Sequence, residues 1–129
     1  MNIIPLRREG NHHYLGEMPI PVVQYGVEAG LSLGLRAEDI QLTSAEHAAL
    51  TARVLSYEYM GADTLLVCQI AACQEPITVK VAGMRRFSEH SQVGLQWSAS
   101  KHYFFVSASG KRCYGAEQNV LPSEQKYAV

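Results

Sequence analysis

Three cysteines, five histidines, a small basic cluster and a charged insertion in an apolar segment are the residues of this chain able to do chemistry. Cys68 and Cys73 stand with four residues between them, wider than the two-residue spacing of common zinc pairs, and no second pair completes a four-ligand set. Cys68 alternates with Leu66 and Ile70, so core packing accounts for it, free cysteine being among the most buried residue types. His12 and His13 fall in a polar stretch and are read as solvated surface residues, since a metal there would need further ligands. His47, His90 and His102 lie in polar links, none of them beside a serine or cysteine in a nucleophile signature such as G-x-S-x-G. Neither a G-x-x-x-x-G-K-[ST] loop nor a G-x-G-x-x-G turn is present, so nothing in this chain cradles a nucleotide in the recognised ways. The expectation is a chain that is no enzyme by itself, with no catalytic, cofactor or metal residues.

Lys80, Arg85 and Arg86 form the basic cluster, flanked by Glu89. A solvated loop is the plain reading, and a contact with an anion or a partner is the alternative. Trp97, Tyr103, Phe104 and Phe105 resemble the stacking platforms of single-strand-binding barrels, but core filling explains most of them. In "YFFV" the two adjacent phenylalanines must point to opposite faces of a strand, which makes the outward one a candidate protein contact. With 11 Lys plus Arg against 12 Asp plus Glu, the net charge of −1 supplies no field to attract a polyanion, and nucleic acid is not an expected partner. The insertion is "SLGLRAEDIQL", where Gly34, Arg36, Glu38 and Asp39 occupy a place that a plain turn would fill with one glycine or proline.

The elements that must position these residues are short strands. A chain of 129 residues, 47% hydrophobic and 18% charged, fits one compact soluble domain able to bury a core without staples. No apolar run approaches the roughly 20 residues of a membrane helix. A secretory signal is absent from the first residues, and the odd cysteine count suits a reducing compartment. Residues 19–25 and 31–36, joined by "GVEAG", predict a hairpin. Leu50, Ala52 and Val54 alternate with Thr51 and Arg53 in the next strand, which Gly61-Ala62-Asp63 then turns. Leu66, Cys68 and Ile70 share one side of the following strand, with Leu65 and Val67 on a second covered side. Ile77, Val79 and Val81 alternate strictly, and Val93, Leu95 and Trp97 repeat the pattern before a last strand through "HYFFVSA". Only "TSAEHAALTARV" has helical character, read as one helical turn, with Ser44 or Thr43 as its cap, or as a loop. About seven strands with close turn signals predict an all-β fold, a small antiparallel barrel or sandwich with short helical turns and loosely held polar ends.

In this order the motifs resemble the C-terminal regulatory domain, of the transport-associated OB (TOBE) type, in ATP-binding subunits of ABC importers for sugars and glycerol phosphate. That family's first element reads glycine, a branched residue, then R-P-E and an acid or histidine. Gly34, Leu35, Arg36, Glu38 and Asp39 match it, with Ala37 in place of the proline, which leaves the local backbone less restricted. Val54, Glu58, Gly61, Asp63 and Thr64 are similar to the second element, V-x-x-x-E-x-x-G-x-[ED]-T. His102, Phe105 and Gly110 are similar to the last, with Val106 where an acid is common. "MNIIP" is similar to the segment that follows the nucleotide-binding domain in these subunits, and "GADTLL" most resembles glycerol-3-phosphate importers.

The resemblance implies an OB-like barrel over residues 31–113, with residues 1–30 as a connecting segment and first strands and 114–129 as a tail. It implies an ATPase domain outside this chain, to which ATP and Mg would belong, and a place in the cytoplasm against the membrane through the transporter. The implied partners are a second copy in a homodimer, the subunit's own ATPase domain, the importer's membrane subunits through that domain, and a regulatory protein. Gly34 would permit close backbone approach, and Arg36 with Glu38 or Asp39 would pin a strand crossing by charge-assisted hydrogen bonds. His102, Phe105 and Gly110 would lie at the dimer or partner contact. A small-oxyanion-binding barrel and an OB-type nucleic-acid module are the alternative functions.

Overall fold

The structure, a computed structural model, describes residues 1–22, 30–106 and 112–113. Among these residues it forms twelve strands: β1 (Asn2–Pro5), β2 (Arg7–Glu9), β3 (His12–Leu15), β4 (Met18–Ile20), β5 (Leu31–Leu35), β6 (Gln41–Thr43), β7 (Leu50–Met60), β8 (Asp63–Gln69), β9 (Ile77–Ala82), β10 (Gln92–Gln96), β11 (Tyr103–Val106) and β12 (Arg112–Cys113). The fold is all-β and antiparallel, as the periodicity predicts, with three short 3-10 turns in place of helices. Two compact units divide the chain, one made of Met1–Asn2 and Leu35–Lys101, the other of Ile3–Gly34 and His102–Val129.

The first unit is built on a five-stranded sheet in the order β6-β10-β7-β8-β9. Its core faces are those that alternation selects: Ala52 and Val54 on β7, Leu66 and Cys68 on β8, Ile77 and Val79 on β9, with Leu95 from β10. The other face of β8, expected to be covered as well, is half-buried at Leu65 and Val67. An irregularity between Val54 and Ser56 gives β7 one extra residue, so that half-buried Tyr57 lies opposite Leu66 and exposed Tyr59 opposite Thr64. Gly61 and Ala62 alone join β7 to β8, and Gly61 has φ +77, the sign that a tight two-residue hairpin demands at its first position. On β9 the backbone of Thr78 is taken by a side chain. Asn2 Nδ2 donates to the Thr78 carbonyl at 2.8 Å, and the Thr78 N–H donates to Asn2 Oδ1 at 2.8 Å. The Thr78 hydroxyl donates to the same oxygen at 3.2 Å. The carboxamide thus stands where a neighbouring strand would stand.

The second unit holds a four-stranded sheet, β1-β5-β11-β12, and a three-stranded sheet, β2-β3-β4. Leu31 and Leu33 from β5, Phe104 from β11, and Ile4, Leu6, Leu15 and Ile20 are its buried apolar side chains. The three-stranded sheet replaces the loose polar end expected there. Its strands are three or four residues long, and Gly10-Asn11 and Gly16-Glu17 turn them in the same two-residue manner as Gly61-Ala62. Strand geometry then puts His13 and Leu15 on one face, and His13 is buried at 3% exposure rather than solvated as expected. The hairpin expected between residues 19–25 and 31–36 does not form among the described residues: β4 pairs with β3 in one sheet and β5 lies between β1 and β11 in another, while residues 23–29 lie outside the described residues.

Candidate functional site: a charged groove beside an edge strand

The strands β6 and β9 end the five-stranded sheet on opposite sides and both line one groove of about 640 Å³. Glu38, Ile40, Gln41 and Leu42 form one wall, and Asp63, Lys80, Val81, Ala82 and Arg85 form the other. The residues reach it for local reasons. The 3-10 turn Ala37–Asp39 is closed by the Asp39 N–H donating to the Arg36 carbonyl at 3.0 Å, and Ile40, 1% exposed, anchors the chain as it enters β6. Asp63 begins β8 after the tight turn, and Lys80 takes an outward position on β9, between buried Val79 and half-buried Val81. Lys80 Nζ lies 3.6 Å from Asp63 Oδ2 in an exposed ion pair, the kind worth about 0–1 kcal/mol.

Arg85 is held more firmly than its exposure implies. Its backbone N–H donates to Thr64 Oγ1 at 3.0 Å, and that hydroxyl, fully buried, donates to the Gly83 carbonyl at 2.7 Å. The guanidinium stands 5.4 Å from the centre of the Phe87 ring, which packs edge-on against Tyr57 at 5.8 Å. A cation–π contact of this kind leaves the N–H fork of the guanidinium open. Among the described residues neither Glu38 nor Arg85 has a salt-bridge partner. A smaller groove of about 350 Å³ shares Leu42 and Arg85 with the first and extends to Ser44, Phe87 and Gly94.

The edge of β9 adds backbone groups to this set. In an antiparallel strand the N–H and C=O pairs point alternately to either side. Thr78 points away from β8, toward Asn2, so Lys80 and Ala82 also turn their backbone groups away from β8. The groove therefore presents two cations and two carboxylates over an apolar floor. It is equipped to bind, and among the described residues no group of three His, Cys, Asp or Glu is placed to hold a metal.

The residues singled out by sequence divide between the two units. Glu38 and Asp63 line the groove, and Gly61 makes the turn that delivers Asp63. Glu58 is exposed on β7, opposite Leu65. Asp39 is directed to Lys101, its carboxylate 4.0 Å from the ammonium, while the Arg36 side chain is exposed. In the other unit, Gly34 is buried opposite Tyr103. His102 is also buried, its ring edge-on to Phe104 at 5.8 Å. Phe104 points inward and Phe105 is half-exposed, as two neighbours on a strand must be. Gly110 lies outside the described residues. Of the four aromatics expected mainly in the core, Phe104 alone is fully buried, with Trp97, Tyr103 and Phe105 half-buried. Cys68 is fully buried, and the loss of solvent pushes its thiol up to about 11. Ser44 does not cap its 3-10 turn as expected; its hydroxyl contacts His47 Nδ1 at 3.0 Å instead.

The sequence profile of the TOBE domain matches residues 33–105, more than half of the chain and every element of the groove. The chain belongs to the TOBE domain family. Its TOBE domain is also similar to the sn-glycerol-3-phosphate import ATP-binding protein UgpC of Paracoccus denitrificans, with 29% identity over 98 residues. That alignment takes in 76% of this chain and 27% of the relative, so the chain spans about a quarter of the length of the protein it matches. The groove residues Lys80 and Arg85 were visible in the sequence only as a basic cluster, and nothing there ties them to Glu38 and Asp63.

Proposed function

We propose that this TOBE domain is the non-catalytic regulatory and dimerisation module of an ATP-binding subunit in an ABC importer for sugars or glycerol 3-phosphate. The observation that carries this reading is the family match over residues 33–105 together with the similarity to an import ATP-binding protein. In this role the domain contributes contacts and leaves ATP and Mg to an ATPase domain, and it works in the cytoplasm beside the transporter. Among the described residues no helix is long and apolar enough to cross a membrane. Its expected partners are a second copy, the ATPase domain, through it the membrane subunits, and a regulatory protein.

Phe105 is the side chain best placed to test the pairing, because β11 turns Phe104 inward and leaves Phe105 half-exposed. Sedimentation velocity over a range of concentrations should show reversible dimers of the wild-type chain. Phe105→Ala should weaken that association by about 1–3 kcal/mol while leaving the melting curve of the monomer in place. A wild-type chain that remains monomeric at the highest concentrations would overturn the dimerisation role.

A further inference from the structure

We propose that Ser44 is a phosphoryl-acceptor site, with His47 as its base and Arg85 as the group that holds the transferred phosphoryl. The Ser44 hydroxyl is exposed and lies 3.0 Å from His47 Nδ1. With the imidazole proton on Nε2, Nδ1 accepts the hydroxyl's hydrogen bond, the arrangement in which a histidine takes the proton from an attacking oxygen. The main chain holds the pair in place. The His47 N–H donates to the Ser44 carbonyl at 3.1 Å, and that carbonyl oxygen stands 3.0 Å from where a Cβ on Gly94 would lie, so the turn is seated on β10. Other serines of the same unit are engaged differently: Ser98 and Ser100, also exposed, bond each other at 2.9 Å, and the Ser91 hydroxyl donates to the Ser88 carbonyl at 2.6 Å.

The smaller groove supplies the rest of the site. Ser44 and Arg85 both line it, with Thr43, Thr51 and Gln92, and no carboxylate is among its lining residues. The larger groove differs in this respect, since Glu38 and Asp63 face its cations. Arg85 has no carboxylate partner among the described residues, and its backbone is fixed by the buried Thr64 hydroxyl. A guanidinium fork takes two phosphoryl oxygens through parallel hydrogen bonds and so stabilises the charge on the group in transit. The donor class suited to a site without a nucleotide cradle is a small acyl phosphate. In the step, Ser44 Oγ bonds to phosphorus and the bond from phosphorus to the acyl oxygen breaks. The carboxylate leaves with the electron pair, and the hydroxyl proton passes to His47 Nδ1 and on to solvent. The product phosphoserine is an anion facing Arg85, a charge-assisted pair that would join the turn after β6 to the segment after β9.

Incubation of the 129-residue chain with acetyl phosphate, followed over time by fragment-ion mass spectrometry, tests the proposal. Phosphoserine is expected at position 44, formed about 10²-fold faster than at Ser98 or Ser100, the internal references that lack a base. His47→Gln should slow the reaction at Ser44 by about 10²-fold, the lower end of what a positioned base contributes. Arg85→Gln should slow it by about tenfold, the worth of one charge-assisted hydrogen bond. Both side chains are exposed and the contact of residue 85 with Thr64 is made by its backbone, so the two variants should keep the wild-type melting temperature. Absence of phosphate from Ser44, a rate there no higher than at Ser98 and Ser100, or undiminished transfer in His47→Gln would each overturn the site. Undiminished transfer in Arg85→Gln would remove the guanidinium from it. Arrival of the acetyl group on Ser44 in place of the phosphoryl group would overturn the phosphoryl part.

Discussion

Gly94 offers the sharpest test of how the first unit is packed. It lies in β10 between β6 and β7, opposite Thr43 on one side and Thr51 on the other. A Cβ added there would stand 2.7 Å from the Thr43 carbonyl oxygen, 3.0 Å from the Ser44 carbonyl oxygen and 2.9 Å from Ala48 Cβ. Ordinary contact begins at 3.4 Å, so Gly94→Ala needs a displacement of about 0.7 Å from the β6 backbone. Two of the three obstructing atoms are main-chain oxygens, one of them in the β6–β10 ladder, and they cannot swing aside as a side chain can. Overpacking of this kind costs about 1–3 kcal/mol, and the backbone character of the obstacle puts the cost toward the upper end. For a unit of this size that corresponds to a fall in melting temperature of about 10–20 °C, followed by circular dichroism or calorimetry. The sign is informative. In open space, alanine would stabilise a strand by about 0.5–1 kcal/mol relative to glycine, so an unchanged or raised melting temperature would refute the close approach of β6.

Two further substitutions probe other features. Asn2→Ala removes three hydrogen bonds from Thr78 and leaves its amide unpartnered, a loss of about 2–3 kcal/mol that should also speed hydrogen exchange at Thr78; slow exchange in the variant would refute the clamp. His13 is buried with neither ring nitrogen hydrogen-bonded, and burial foremost, then the nearby charges of Arg8 and His12, lowers its pKa below 6.5. The folded state therefore excludes a proton that the unfolded state takes up. Its contribution to stability is full above pH 6.5 and is lost as pH falls from there toward the folded pKa, by at most about 1.4 kcal/mol per pH unit. His13→Leu should flatten the decline in melting temperature between pH 7 and pH 5, and parallel profiles for variant and wild type would rule this origin out.

What the sequence made legible follows from strand length. β7, β8 and β9 run for six to eleven residues, long enough for alternation to show through, and the positions of Val54, Cys68 and Val79 in the core could be read directly. β2 through β4 are too short and too polar for that signal, Arg7–Glu9 being exposed at every position. Their trace in the sequence is the pair Gly10-Asn11 and Gly16-Glu17, glycine-led loops that mark two-residue hairpins, and with it the inward side of His13 was missed. The groove was illegible for a different reason. Glu38, Asp63, Lys80 and Arg85 come from separate stretches of chain, and only the curl that sets β6 and β9 along one cleft brings them together.

The carboxamide of Asn2 has a consequence for behaviour at high concentration. β9 is the outermost strand of its sheet, carries Ile77, Val79 and Val81, and would offer an unpaired rim to any β-strand of another molecule. Asn2 occupies the Thr78 rung of that rim, and the exposed ammonium of Lys80 guards the next. The Asn2 carboxamide and the Lys80 ammonium thus stand on this edge in the way of a strand from another molecule, together with the 3-10 turn Ala37–Asp39 that packs beside β9.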